Sequence, residues 1–275
     1  MPRLAVVGHV EWMRFARVPR LPGPGETVHA SEHWEEPGGG GAVAAVQLAR
    51  LAGEVELFTA LADDELGRRA RERLEALGVR VHAAARAGAQ RHGFAHLVRG
   101  GDRAITVVGE RMAPAGDDAL PWRRLAEADA VYFTAGDVAA LRAARRARIL
   151  VAIPRPAETL LEAGVRLDAL VGSAGDPGER LDPARLAPAP AVVVRTEGAR
   201  GGSWSAADGR GGRWAAAEIP GPRLDAYGLG DCFAAAFTFA LAEGRALQSA
   251  LELGARAGAS KLAGRSPFGG QLSGA

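Results

Sequence analysis

The sequence predicts an α/β fold, a mostly parallel β-sheet with helices on both faces, joined by a small separate β-sheet. Three observations carry this. From Val131 onward, strand-like and helix-like stretches take turns, the pattern that builds parallel sheets through crossover connections. Hydrophobic residues make up 48% of the 275 residues but aromatics only 5%, which suits helices packed closely on a sheet. Two β-prone segments, about 11–37 and 91–108, break the alternation and are free to pair outside the main sheet. The length would allow two small domains, but a single domain over residues 1–275 accounts for the whole pattern.

Taken in order, Leu4 to Val7 is an apolar run ending at Gly8, a first strand entering a loop. Pro19, Pro22, Pro24 and Pro37 interrupt the next stretch of chain, so residues 11–41 read as turns and short strands. After Gly38-Gly39-Gly40-Gly41, Ala42 to Ala52 is a strong helix former closed by Gly53. Val55 to Leu61 reads as a strand. Asp63-Asp64-Glu65 then places acids in the first turn of a helix ending near Leu77, with Leu66, Ala70, Leu74 and Leu77 on one face. Arg91 to Val108 alternates around Gly100-Gly101-Asp102, a hairpin signal. Strands at Val131–Thr134, Ile149–Ile153, Leu170–Val171 and Ala191–Arg195 alternate with helices ending near Arg148 and Ala163. A hairpin with Trp204 and Trp214 on its arms and two helices, about 231–243 and 246–262, complete the chain.

Charge excludes several function classes. The formal net charge is +2, and basic and acidic residues share the same segments, as from Arg68 to Glu75, so these are solvated helix faces rather than a nucleic-acid stripe. Lys261 is the only lysine, which rules out a P-loop and a protein-kinase strand lysine. Phosphate, if bound, must be met by arginine, backbone N–H groups and a metal ion. Cys232 is the only cysteine, so neither an intramolecular disulfide nor a cysteine zinc site exists. The longest near-apolar run, Cys232 to Ala242, falls short of the ~20 residues a membrane span needs. Leu4 to Val7 is too short for a signal peptide. The expected location is cytoplasmic, with a small-molecule substrate and neither a nucleic-acid nor a membrane partner.

The strongest constellation is Asp225-Ala226-Tyr227-Gly228-Leu229-Gly230-Asp231, followed by an apolar helix. Glycines before a buried helix let a ligand approach the backbone, and the free N–H groups there favour an anion. Asp231 would stand beside bound phosphate and accept a proton from an attacking hydroxyl. The same residues also suit a turn with Asp231 as N-cap, and the bare motif does not separate the two.

The segment resembles the C-terminal signature of the PfkB carbohydrate kinase family, Asp-Thr-x-Gly-Ala-Gly-Asp, matching at Asp225, Gly228, Gly230 and Asp231 and departing at Ala226 and Leu229. Three further segments are similar to family motifs and stand in the family order: Pro24-Gly25-Glu26 with the glycine run 38–41, Asp63 to Gly67, and Thr196 to Gly201. The resemblance implies a ribokinase-like fold whose extra sheet, from about 11–37 and 91–108, is a lid over the substrate. It implies transfer of the γ-phosphoryl group of ATP to a hydroxyl with Mg²⁺ present. Asp231 would be the catalytic base, and Gly228, Leu229 and Gly230 the anion hole. Thr196, Gly198 and Gly201 would lie along ATP, with Ala255 and Gly258 at the adenine. Gly39, Gly40 and Gly41 would border the substrate. A homodimer through the lid also belongs to this reading, and a monovalent cation near Asp225, held by some relatives, stays open.

Departures cluster at the substrate end. Met13 stands where ribokinase carries a substrate-binding Asp, and Val43 where the family has a sugar-binding Asn. Lost polar partners weaken the hold on a hydroxyl-rich substrate, and Glu11 or Asp137 is a candidate replacement. The family's metal-associated Asn-x-x-Glu run aligns with Ser173 to Asp176, where Asp176 either holds a Mg²⁺-bound water or is a turn acid before Pro177. His29/His33 and His92/His96 share a four-residue spacing, but in β segments that separates them by about 13 Å and argues against a metal site. The acceptor expected is a sugar or sugar-like alcohol. A nucleoside is the alternative, since Met13 and Val43 leave room for a less polar group, and a catalytically weak metabolite-binding relative is the other.

Overall fold

In a computed structural model that describes residues 1–98, 100, 103–155 and 157–274, thirteen strands and six α-helices form among the described residues. The strands are β1 (Leu4–Val7), β2 (Glu11–Val18), β3 (Glu32–Gly38), β4 (Val55–Ala62), β5 (Val79–Arg86), β6 (His92–Val98), β7 (Arg103–Val108), β8 (Ala130–Phe133), β9 (Ile149–Ala152), β10 (Ala169–Ser173), β11 (Val192–Thr196), β12 (Gly202–Ala206) and β13 (Gly211–Trp214). The helices are α1 (Gly40–Ala52), α2 (Glu65–Glu75), α3 (Val138–Ala144), α4 (Ala157–Ala163), α5 (Leu229–Ala242) and α6 (Leu247–Leu262).

Nine strands make the main sheet in the order β13-β12-β11-β10-β9-β8-β1-β4-β5, and only the β11–β12 and β12–β13 pairs are antiparallel. β1 shows why its run is apolar throughout. Leu4 and Val6 face the core under α1, α5 and α6, while Ala5 and Val7 face the core under α3 and α4. Helices thus cover both faces, as predicted. α5 is buried nearly all round because it lies between the sheet and the helices α1 and α6. No helix among the described residues is long and apolar enough to cross a membrane.

The two irregular segments pair as predicted into a second sheet of order β3-β2-β6-β7, with β2 and β6 parallel. The hairpin tip at Gly101 and Asp102 lies outside the described residues. This small sheet hangs from the carboxyl end of β1, the edge at which open α/β sheets bind ligands. Its root is fixed by the Asp63 to Gly67 segment. Asp64 caps α2 by accepting from Gly67 N (2.8 Å), and its other oxygen accepts from Gln90 N (2.8 Å). Gln90 in turn donates to Val10 O (3.0 Å) and accepts from Ala62 N (2.9 Å), tying the lid to the body. Phe15 stacks on Trp34 at 5.3 Å between centroids and meets Tyr227 edge-on at 5.2 Å, so these aromatics cover the seam between lid and α5.

One strand, β5, goes unmarked in the sequence reading. Past Val81 its residues are His82, Ala83, Ala84, Ala85 and Arg86, poor strand formers by themselves. Parallel pairing with β4 over eight residues makes it a strand.

Candidate active site

The apolar run after Gly230 folds as α5, but the helix begins earlier than the sequence indicates, at Leu229. Gly228 is its N-cap, in the left-handed region at φ 76°, and no side chain caps the helix. Asp231 is therefore the third residue of the first turn and not the cap that the alternative reading made it. That leaves the first-turn N–H groups of Leu229, Gly230 and Asp231 without intrahelical partners, a ready anion site. Gly228 also packs against Val43: a Cβ there would stand 2.8 Å from its Cγ1.

Asp231 turns toward the glycine run. Gly39 is the N-cap of α1, and a Cβ on Gly40 would lie 2.9 Å from Asp231 Oδ1. Tyr227 joins the two segments, its hydroxyl accepting from Gly39 N at 2.8 Å. Burial pushes the Asp231 carboxyl up from the ordinary range to about 7, with the Glu179 carboxylate adding to it and Arg155 opposing. Such a group changes charge near neutral pH, as a general base should.

Unsatisfied polar atoms mark the same edge. Thr134 Oγ1, Tyr132 Oη, His9 Nδ1 and Arg155 Nε are buried without hydrogen-bond partners among the described residues. Tyr132 is on β8 and Thr134 follows it, while His9 follows the neighbouring β1, so all three lie at carboxyl ends of adjacent strands. Buried polar groups are nearly always paired, and a set of orphans at one edge is what a ligand would satisfy. Burial and the positive field of Arg111, Arg91 and Arg155 push His9 down to about 3, so its ring is neutral.

The remaining predicted residues divide. Thr196 ends β11 and its carbonyl accepts from Ala174 N (3.0 Å); Gly198 and Gly201 bracket the following turn at φ 61° and 76°. Gly258, on α6, faces the same helix start, since a Cβ there would lie 3.7 Å from Leu229 O; Ala255 is half-buried on the same helix. Glu11 is buried and held by Arg91 (2.8 Å) at the start of the lid. Met13 and Val43 are fully enclosed. Asp137 has a structural task. It caps α3 by accepting from Ala140 N (2.7 Å) and also takes Gly116 N (2.9 Å), an exposed structural acid.

Asp176 accepts from Gly178 N (2.8 Å) and pairs with Arg155. The inward carboxylate is Glu179, which the sequence reading missed. A short 3₁₀ turn over Pro177–Glu179 brings it round to accept from Ser173 N (2.6 Å), and burial raises its pKa. Among the described residues no group of three His, Cys, Asp or Glu side chains gathers to hold a metal. Glu179 and Asp176 would suit magnesium, which keeps several waters and needs few protein carboxylates. The Cys232 thiol is buried and pushed up to about 12, an inert packing group.

A dissolved monovalent cation does not fit beside Asp225. The Lys261 ammonium stands there, Nζ 3.6 Å from Oδ1, with both side chains fully buried.

The pattern described as pfkB family carbohydrate kinase matches residues 1–153 and 167–266. The ribokinase of Bacillus subtilis is 29% identical over 276 aligned residues, covering 94% of this chain and 92% of its own. An ATP-dependent ribose-1-phosphate kinase of Halopiger xanaduensis is 30% identical over 183 residues, covering 66% of this chain and 56% of its own. The structure of Arabidopsis thaliana ribokinase complexed with ribose and ATP superposes with a TM-score of 0.76 at 20% identity, covering 99% of this chain and 96% of the other. The fold is the ribokinase-like one.

Proposed function

Since the chain belongs to the pfkB family of carbohydrate kinases, phosphotransferases that act on an alcohol group, we propose that it phosphorylates a hydroxyl of a sugar or sugar-like alcohol from ATP, with Asp231 as the base. The observation that carries this reading is the meeting of Asp231 with the Gly39–Gly41 run at the uncapped start of α5. An acceptor hydroxyl placed between them gives its proton to Asp231 as it attacks. The first-turn N–H groups of α5 hold the charge that develops on the transferred phosphoryl group. Thr196, Gly198 and Gly201 would border the nucleotide, and Gly258 the adenine side. Magnesium, when bound with the nucleotide, neutralises phosphate charge, and Glu179 and Asp176 would hold it through water. Lid strands β2 and β6 stand over this edge and would exclude water on closing.

Release of ADP measured over sugars, polyols and nucleosides tests the reading; tight ligand binding with no turnover on any acceptor would favour the metabolite-binding relative. A second observation favours an acceptor that is itself anionic. Arg91 is spent on Glu11 and Arg155 on Asp176 and Glu179, whereas Arg111 has no carboxylate partner among the described residues yet adds to the field at His9. Sugar phosphates and sugar acids therefore belong in the panel, a choice that the name of the ribose-1-phosphate kinase supports. The expected result is a charged acceptor preferred over its neutral parent, with Arg111→Gln raising its KM about tenfold, the loss of one charge-assisted contact. A preference for neutral sugars that survives Arg111→Gln unchanged would remove the anionic reading.

The lid also supports the homodimer. Phe94, Ile105, Val107 and Val108 are among the few exposed large hydrophobic residues, and all four lie on β6 and β7. Light scattering is expected to return about twice the 28.5 kDa of one chain.

A further inference from the structure

The one lysine of this chain sits in a fully enclosed charged cluster. Of 34 basic residues only Lys261 is not arginine, so a composition that supplies arginine everywhere else has placed a compact ammonium here. Lys261 and Asp225 are both fully buried, Nζ lying 3.6 Å from Oδ1 and 3.5 Å from Ser266 Oγ. Asp225 is a hub. It accepts from Tyr227 N (3.1 Å), from Ser266 N (3.0 Å) and from the Ser266 hydroxyl. Leu224 N bonds to Leu262 O (2.9 Å), so the end of α6, the turn at Ser266 and the segment entering Gly228 close on one buried pair. A buried carboxylate with this many constraints demands a neutralising charge.

We propose that Lys261 acts as a covalently attached monovalent cation. Its ammonium neutralises Asp225 and fixes the turn from Asp225 to Gly228, so that the helix start is held ready for phosphate without a dissolved K⁺ or Na⁺. This rests on reading Gly228 to Asp231 as the phosphate end. Lys261 touches neither substrate nor phosphate in this account and is a positioning residue. A dissolved cation must bind each time and its effect follows its concentration, whereas a tethered one is always present.

The test compares the full chain in potassium, ammonium and tetramethylammonium salts, the last too large for the site. Wild-type melting temperature and turnover are expected to be the same in all three. Lys261→Met keeps the stem and loses the charge. It is expected to melt about 10 °C lower, the cost of an unpaired buried carboxylate in a chain of this size, and to lose about 10²-fold in kcat from a displaced anion hole, with no cation restoring either. Lys261→Ala leaves space, and K⁺ or NH₄⁺, but not tetramethylammonium, is expected to restore much of both. Stabilisation or stimulation of the wild type by K⁺ would overturn the proposal, as would an alanine variant that no cation affects. If neither variant folds in any salt, the wild-type comparison decides alone, indifference supporting the proposal and a K⁺ response overturning it. Melting needs no acceptor, so a chain with this cation pattern but no kinase activity would sink the functional reading and leave the role of Lys261 supported.

Discussion

Replacement of Asp231 by Asn is expected to lower kcat on the order of 10²–10⁴, the usual cost of losing a general base, while nucleotide affinity stays near wild type. The amide keeps the shape of the carboxylate and takes its place against Gly40, but it accepts no proton from the attacking hydroxyl. The pH dependence should identify the group. Burial and the Glu179 carboxylate raise Asp231 to about 7, and only its ionised form serves as base. The kcat/KM of the wild type is therefore expected to rise about tenfold per pH unit below that value and level off above it. Asp231→Asn should remove this limb. Stability gives an independent check with its own sign. Between the ordinary carboxylate range and about 7, the folded chain keeps a proton that the unfolded chain has released, so this residue's contribution is full at low pH and is lost as pH rises through about 7. The Asn variant should thus melt no lower than wild type at pH 8. An unaltered rate across the pH range would mean that the proton goes elsewhere.

How much of this was readable before folding depends on how local each signal is. Strands and helices from Val131 onward were legible because periodicity is local, and the turn at Gly228 because its glycines announce a backbone that must approach something. β5 was not legible, since its alanines become a strand only by lying along β4. The resemblance pointed to Asp176 and left Glu179 unmarked, because only the 3₁₀ turn that follows carries this acid, three residues later, to the inside. The phenol of Tyr227 meets Gly39 across 188 positions of sequence, a distance at which no motif speaks. Lys261 did leave a trace, as the lone lysine among arginines, but by itself that trace only excludes a P-loop. Its partner Asp225 was already in the motif, and what was missing was the fold that brings α6 back beneath it.

Adjacent glycines in the run before α1 should respond to alanine in opposite ways, because different kinds of atom face them. A Cβ on Gly41 would stand 2.7 Å from His9 O and 2.8 Å from Gly8 C, both backbone at the end of β1. Neither can swing aside, so α1 must move off the sheet. Gly41→Ala is expected to lose about 1–3 kcal/mol or more, the cost of overpacking, which at this chain length lowers Tm by roughly 5–10 °C. A Cβ on Gly40 meets instead the Asp231 carboxylate at 2.9 Å and Thr134 Oγ1 at 3.5 Å, both side-chain ends. These can rotate, and alanine is the better helix residue, so Gly40→Ala should leave Tm unchanged or slightly raised. The carboxylate that gives way is the proposed base, and a shift of about 1 Å is enough to lower kcat on the order of 10²-fold. Denaturation curves and initial rates on the two purified variants separate these outcomes. A fully active Gly40→Ala would place the acceptor hydroxyl away from the glycine run, whereas an inactive, stably folded one puts it between Gly40 and Asp231.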